Sequence, residues 1–231
     1  MPEGALDALT FDSRIDPLER ATPPRFRGIA HLIAFVVAAP AGVLLVVQAK
    51  TGLAQLVAVV FSASVAAMLG VSSLFHRRQW TPVRKRRMGI LDHAMIYVLI
   101  GGTYTPIALF VLHADWRAPI LTVVWGGGAV AALVKLLRPN APAWAAAATC
   151  VGLGWISVVV LPQIVGRIGF GPASLLIVGG VAYTAGAVVY ARRRPDPFPH
   201  AFGYHEIFHC LVVVAVACQY VTIGLFVLPR T

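Results

Sequence analysis

Apolar residues run through this chain in long blocks, and the polar positions between them are few. The blocks fall at roughly 28–48, 54–75, 89–112, 118–137, 143–164, 171–191 and 206–228. Each is rich in Leu, Val, Ala and Gly and lacks the one-sided polar stripe of a surface helix. A helix needs about 20 apolar residues to cross a hydrocarbon layer of about 30 Å, and every block reaches or approaches that length. The pattern therefore predicts seven membrane-spanning helices. Most breaks between them are only turn-length. The first 24 residues and the Arg-Pro-rich stretch before the last block are longer. No 20–50-residue repeat is visible. The expected fold is an all-α integral membrane protein, a seven-transmembrane helix bundle. Residues 25–231 form its single domain, and 1–24 form a mobile cytoplasmic tail without a signal-peptide apolar core.

Composition agrees with the pattern. Hydrophobic residues make up 58% of the 231-residue chain and charged residues 12%, about half the share of a soluble domain. Mean hydropathy is +0.79. No Asp or Glu occurs between Glu19 and Asp92. The three cysteines, Cys150, Cys210 and Cys218, all lie within spans and are an odd number. They read as reduced, packed thiols.

The 19 basic residues orient the bundle. One side holds Arg14, Arg20, Arg25, Arg27, Arg77, Arg78, Arg84, Lys85, Arg86, Arg87, Lys135, Arg138 and Arg192–Arg194. The other holds only Lys50, Arg117, Arg167 and Arg230. The positive-inside rule then places the N-terminus in the cytoplasm and the C-terminus outside, in a multi-pass protein of the plasma (inner) membrane. A net charge of +10 matches anionic lipid headgroups at the cytoplasmic face and calls for no nucleic acid.

This orientation brings together the chain's candidate chemistry. His205 and His209 open the last span as HEIFH. At four residues apart, about 400° of helix rotation, they share a face and can hold one divalent metal. His76 ends the second span and Asp92 opens the third, so all four residues fall at similar depth on the cytoplasmic side. Three imidazoles with one open position are the donor set of a catalytic zinc. Asp92 would then act through a water or as general base. Ser72 precedes His76 by four residues and shares its face; it reads either as an oxyanion donor or as a serine bonded back to its own helix. Ser73 and Thr103 are open to that second reading. His31 is expected to be a headgroup-level or interhelical hydrogen bonder. His93 points about 100° from Asp92. His113, Asp115 and Arg117 read as an outer loop. His200 is the substitute ligand should His76 stand elsewhere, and Glu206 faces the basic cytoplasmic rim.

The segments SSLFH, LDHAMIYVLIGGTYTPIAL and HEIFHCLVVVAVACQYV resemble the hemolysin III family of bacterial membrane proteins. That family is grouped with the progestin and adiponectin receptors and, more distantly, with the alkaline ceramidases. The resemblance runs from about His31 to the end of the seventh span. It implies zinc held by His76, His205 and His209, with Asp92 acting through a water and Ser72 close by. Two departures stand out: Phe75 occupies a position that is tyrosine in many members, and Arg27–Leu32 keeps only the histidine of the usual first-span cluster. The implied activity is metal-dependent hydrolysis of a lipid amide or ester, with a membrane lipid as substrate or ligand. The alternatives are a structural-zinc sensor or receptor and a cytolytic pore; the resemblance does not say which protein partner, if any, the chain has.

Overall fold

The computed structural model describes residues 24–138 and 141–230. The tail expected over 1–24 lies outside the described residues except for Pro24. The helices are α1 (Ile29–Gln48), α2 (Gly52–Arg77), α3 (Pro82–Phe110), α4 (Ala114–Leu121), α5 (Gly127–Leu137), α6 (Ala143–Trp155), α7 (Ser157–Ile168), α8 (Phe170–Arg192) and α9 (Tyr204–Thr222). Together they make seven stretches, among the described residues, that are long and apolar enough to cross a membrane. No strand occurs among the described residues.

Two spans are each built from two helices. In the fourth, a π-helical turn over Thr122–Gly126 joins α4 to α5. In the fifth, α6 and α7 are separated at Ile156, where a side chain from another helix intrudes. The Tyr104 hydroxyl of α3 meets the carbonyl oxygens of Leu153 at 3.1 Å and Gly154 at 2.6 Å. It also accepts the Ser157 N–H at 2.8 Å. An interrupted backbone is tolerated inside a bilayer only where its freed groups find partners; Tyr104 supplies one donor and one acceptor, and Ser157 Oγ also donates to the Gly154 carbonyl oxygen at 3.0 Å.

Most boundaries follow simple local chemistry. Thr51 caps α2 by accepting the Ala54 N–H at 3.1 Å. Pro82 starts α3 at the position where a missing N–H costs nothing. That start comes seven residues before the apolar block begins, because Arg84–Arg87 continue the helix beyond the hydrocarbon. Asp115 and Arg117, expected in an outer loop, instead lie in α4, which begins directly after His113. Their polarity hid a helix that starts in the headgroup layer.

The interior is built around α2 and α3. Half of the most apolar stretch of α2 and 56% of that of α3 is buried, against 17% and 6% for the fourth and fifth spans. Phe61 and Leu69 of α2 are fully buried. On α1, Val36, Val37, Val43 and Val47 are all more than 60% exposed, which is the surface a lipid-facing helix presents. α1 packs on α2, α2 on α3, and α8 on α9 along their lengths. Gly101 and Gly102 are sites of close approach: a methyl on Gly101 would stand 2.6 Å from the Trp125 ring, and one on Gly102 would strike Ser64.

Candidate metal centre

Four helices deliver side chains to one point near the basic end of the bundle. α2 brings Ser72 and His76 one turn apart, α3 brings Asp92, α9 brings His205 and His209, and α1 brings His31. His76, His205 and His209 each offer a ring nitrogen, and the three nitrogens lie within 4.8 Å of one another. His76 Nε2 is 3.2 Å from His205 Nε2 and 3.9 Å from Asp92 Oδ2. His205 and His209 are 7% and 2% exposed, so the cluster is screened from water.

The donor chemistry fits a divalent cation of the zinc type. His76 Nε2 and His205 Nε2 face each other at 3.2 Å, close enough to share one cation. His31 Nε2, His205 Nδ1 and His209 Nδ1 are buried without a hydrogen-bond partner among the described residues. Three converging imidazoles are a favoured nitrogen set for zinc and leave a fourth position to a further oxygen.

His31 is the unexpected neighbour. It is 2% exposed, and its ring stacks on His209 with centroids 3.8 Å apart and planes 12° apart. Its Nδ1 is 2.9 Å from Ser72 Oγ. It is the interhelical hydrogen bonder that its position suggested, buried inside the bundle. Ser72 and Asp92 line the same cavity, so the Ser72–His31 pair stands on the side of the cluster where Asp92 enters. Ser73 and Thr103 bond back to the carbonyl oxygens of Gly70 and Leu99 at 2.9 and 2.8 Å.

The other histidines stand apart. His93 Nδ1 is 2.8 Å from the Gly89 carbonyl oxygen, and its Nε2 is 3.5 Å from the Tyr190 hydroxyl. His113 precedes α4, and its main-chain N–H donates to Gln163 Oε1 at 3.1 Å. His200 is exposed in the loop between α8 and α9, so His76 and not His200 completes the trio.

Two acidic residues that spacing did not mark fix the histidine pair. Glu206 is 2% exposed. Its Oε1 lies 2.6 Å from Arg27 Nε, and its Oε2 accepts the Gly203 N–H at 2.8 Å. Asp196 Oδ1 accepts the Tyr204 N–H at 3.0 Å. These bonds pin the first turn of α9, and with it His205 and His209. The one cue in the sequence was a glutamate three residues after the helix-opening Gly203, the spacing of a capping box. The segment before α1 is fastened to the same loop: Arg25 N–H donates to the His200 carbonyl oxygen and Phe26 N–H to that of Ala201, at 3.1 and 3.2 Å. Gly28 follows with φ +76°, and a methyl there would stand 2.9 Å from His76 Cβ.

A cavity of about 180 Å³ begins at His31, Ser72, Asp92, His205 and His209. It continues along the bundle between α3, α6, α8 and α9 as far as Ile164 and Gln219, with mainly apolar walls. Gly154 and Trp155, both exposed, are part of its wall, at the break in the fifth span.

The chain has relatives among known proteins. Residues 20–220 match the family model described as "Haemolysin-III related". The chain is 29% identical over 204 residues to Hemolysin-3 of Bacillus cereus, covering 87% of this chain and 90% of that protein. It is 27% identical over 204 residues to the Hemolysin-3 homolog of Bacillus subtilis (strain 168), covering 84% and 95%. With its seven apolar helices, the chain belongs to the haemolysin III family, as a multi-pass protein of the plasma membrane.

Proposed function

We propose that this protein is a zinc-dependent hydrolase of a membrane lipid amide or ester, working at the cytoplasmic end of the bundle. The observation that carries the reading is one continuous space: two imidazoles of the cluster, His205 and His209, and the Asp92 carboxylate line one end of an apolar chamber that runs along the bundle to the broken fifth span. A purely structural metal needs no such chamber. His76, His205 and His209 would hold the metal, which when bound polarises a carbonyl and makes water more acidic.

The remaining chemistry belongs to the chain. The cavity takes the acyl chain, and its apolar walls keep bulk water from the carbonyl carbon. Asp92 takes the proton of the attacking water and returns it to the leaving amine or alcohol, giving a carboxylic acid as the second product. Ser72, fixed by His31, lines the same cavity as Asp92 and would donate to the oxyanion that forms at the carbonyl. The basic rim at Arg77, Arg78, Arg84–Arg87 and Arg192–Arg194 attracts anionic headgroups towards the same end.

The test is hydrolysis of a panel of lipid amides and esters by the purified protein, with and without a zinc chelator. Chelator-sensitive release of fatty acid is expected. Asp92→Asn should lose roughly 100-fold or more in rate, the scale of a general base, while keeping its zinc. Loss of zinc from Asp92→Asn as complete as from the histidine variants would make Asp92 a ligand. The site would then be closed, and the protein a structural-zinc sensor.

A further inference from the structure

The far end of the cavity carries polar chemistry that hydrolysis at the histidines does not use. Gln219 lies ten residues beyond His209 on α9 and lines the same chamber. Ten residues correspond to roughly 15 Å along a helix. The amide oxygen accepts the Tyr183 hydroxyl at 3.2 Å. It also stands 3.4 Å from Thr103 Oγ1, but the single Thr103 proton is already well placed on the Leu99 carbonyl oxygen at 2.8 Å. The amide nitrogen of Gln219 has no hydrogen-bond partner among the described residues. If the amide is turned the other way, its nitrogen meets the two hydroxyls and its oxygen is left over. In either orientation one polar atom of Gln219 is left over in a side chain that lines the chamber, within an apolar span where such a group is costly unless a ligand uses it.

We propose that Gln219, held by Tyr183, is a specificity-determining residue that recognises an oxygen on the lipid chain itself. The inference rests on the lipid-hydrolase reading of the same cavity. A chain whose carbonyl sits at the histidines and which extends roughly 15 Å meets Gln219 after about a dozen carbons. A hydroxyl at that position is both donor and acceptor and pairs with either orientation of the amide. The substrate class is therefore an amide or ester of a fatty acid hydroxylated near the middle of its chain.

Binding can be read without turnover. The zinc-loaded protein in detergent is titrated with 12-hydroxyoctadecanoic acid and with octadecanoic acid, each displacing a fluorescent fatty acid. The hydroxy acid should bind about five- to tenfold more tightly, the worth of one buried hydrogen bond. Gln219→Leu should abolish or reverse that preference. Tyr183→Phe, a gentler change, should weaken it. Equal affinity of the unaltered protein for both acids, or a preference that survives Gln219→Leu, overturns the role of Gln219 and leaves the lipid-hydrolase reading standing. Failure of both acids to bind overturns the two together.

Discussion

Arg27 Nε and Glu206 Oε1 are 2.6 Å apart, joining residues 179 positions apart in sequence. The pair is buried, with side chains 9% and 2% exposed, and it ties the start of the first span to the first turn of the last. Removing one partner of a buried pair strands the other charge and typically costs about 3–5 kcal/mol. Glu206→Ala also removes the acceptor of the Gly203 N–H. The variant should unfold at lower temperature in detergent and bind zinc more weakly, although Glu206 is no ligand. Unchanged thermal stability would mean that the pair does not hold α9 in place.

Gly28 gives a second test of the same entrance. Its positive φ disfavours any L side chain by about 1 kcal/mol, and an added methyl would press on His76 Cβ at 2.9 Å. Gly28→Ala should therefore lower both stability and zinc occupancy. Gly52→Ala, where nothing lies within 4 Å of the added methyl, should change neither. Zinc titration of the two variants side by side separates a local effect on His76 from a general one.

Tyr104→Phe should disrupt the broken fifth span. The hydroxyl stands within reach of two carbonyl oxygens and accepts one N–H at the junction of α6 and α7. Its loss leaves the Ser157 N–H without its acceptor, at a cost of about 1–3 kcal/mol where nothing replaces it. Thermal unfolding of the purified variant measures that cost, and a midpoint equal to that of the unaltered protein would show that the hydroxyl does not support the break.

The topology is open to direct measurement. A reporter at Met1 should read cytoplasm and one after Thr231 should read outside, as the distribution of basic residues requires. Both reporters on one side would be incompatible with an odd number of crossings, and would separate the histidine cluster from the cytoplasmic face.

The seven crossings were legible because a bilayer demands long apolar runs and this chain spends few residues on anything else. The histidine trio was legible for a different reason. The spacing of His205 and His209 defines a shared face, and the basic residues place His76 and Asp92 at the same depth. What escaped the sequence depends on partners far away in the chain. The basic first turns of α3 carry no hydropathy signal. The break at Ile156 is made by Tyr104, some fifty residues earlier. The burial of Glu206 follows from Arg27, and the stacking of His31 on His209 follows from α1 packing beside α9. None of these pairings leaves a local periodicity to read.

The most direct measurement is the zinc content of the purified protein by elemental analysis, made on the unaltered chain and on His209→Ala, with each sample monodisperse in detergent. About one zinc per chain is expected, falling sharply in His209→Ala and remaining full in His113→Ala, whose ring lies outside the cluster. Full zinc in His209→Ala, or none in the unaltered protein after purification without chelator, would contradict a metal centre built from His76, His205 and His209.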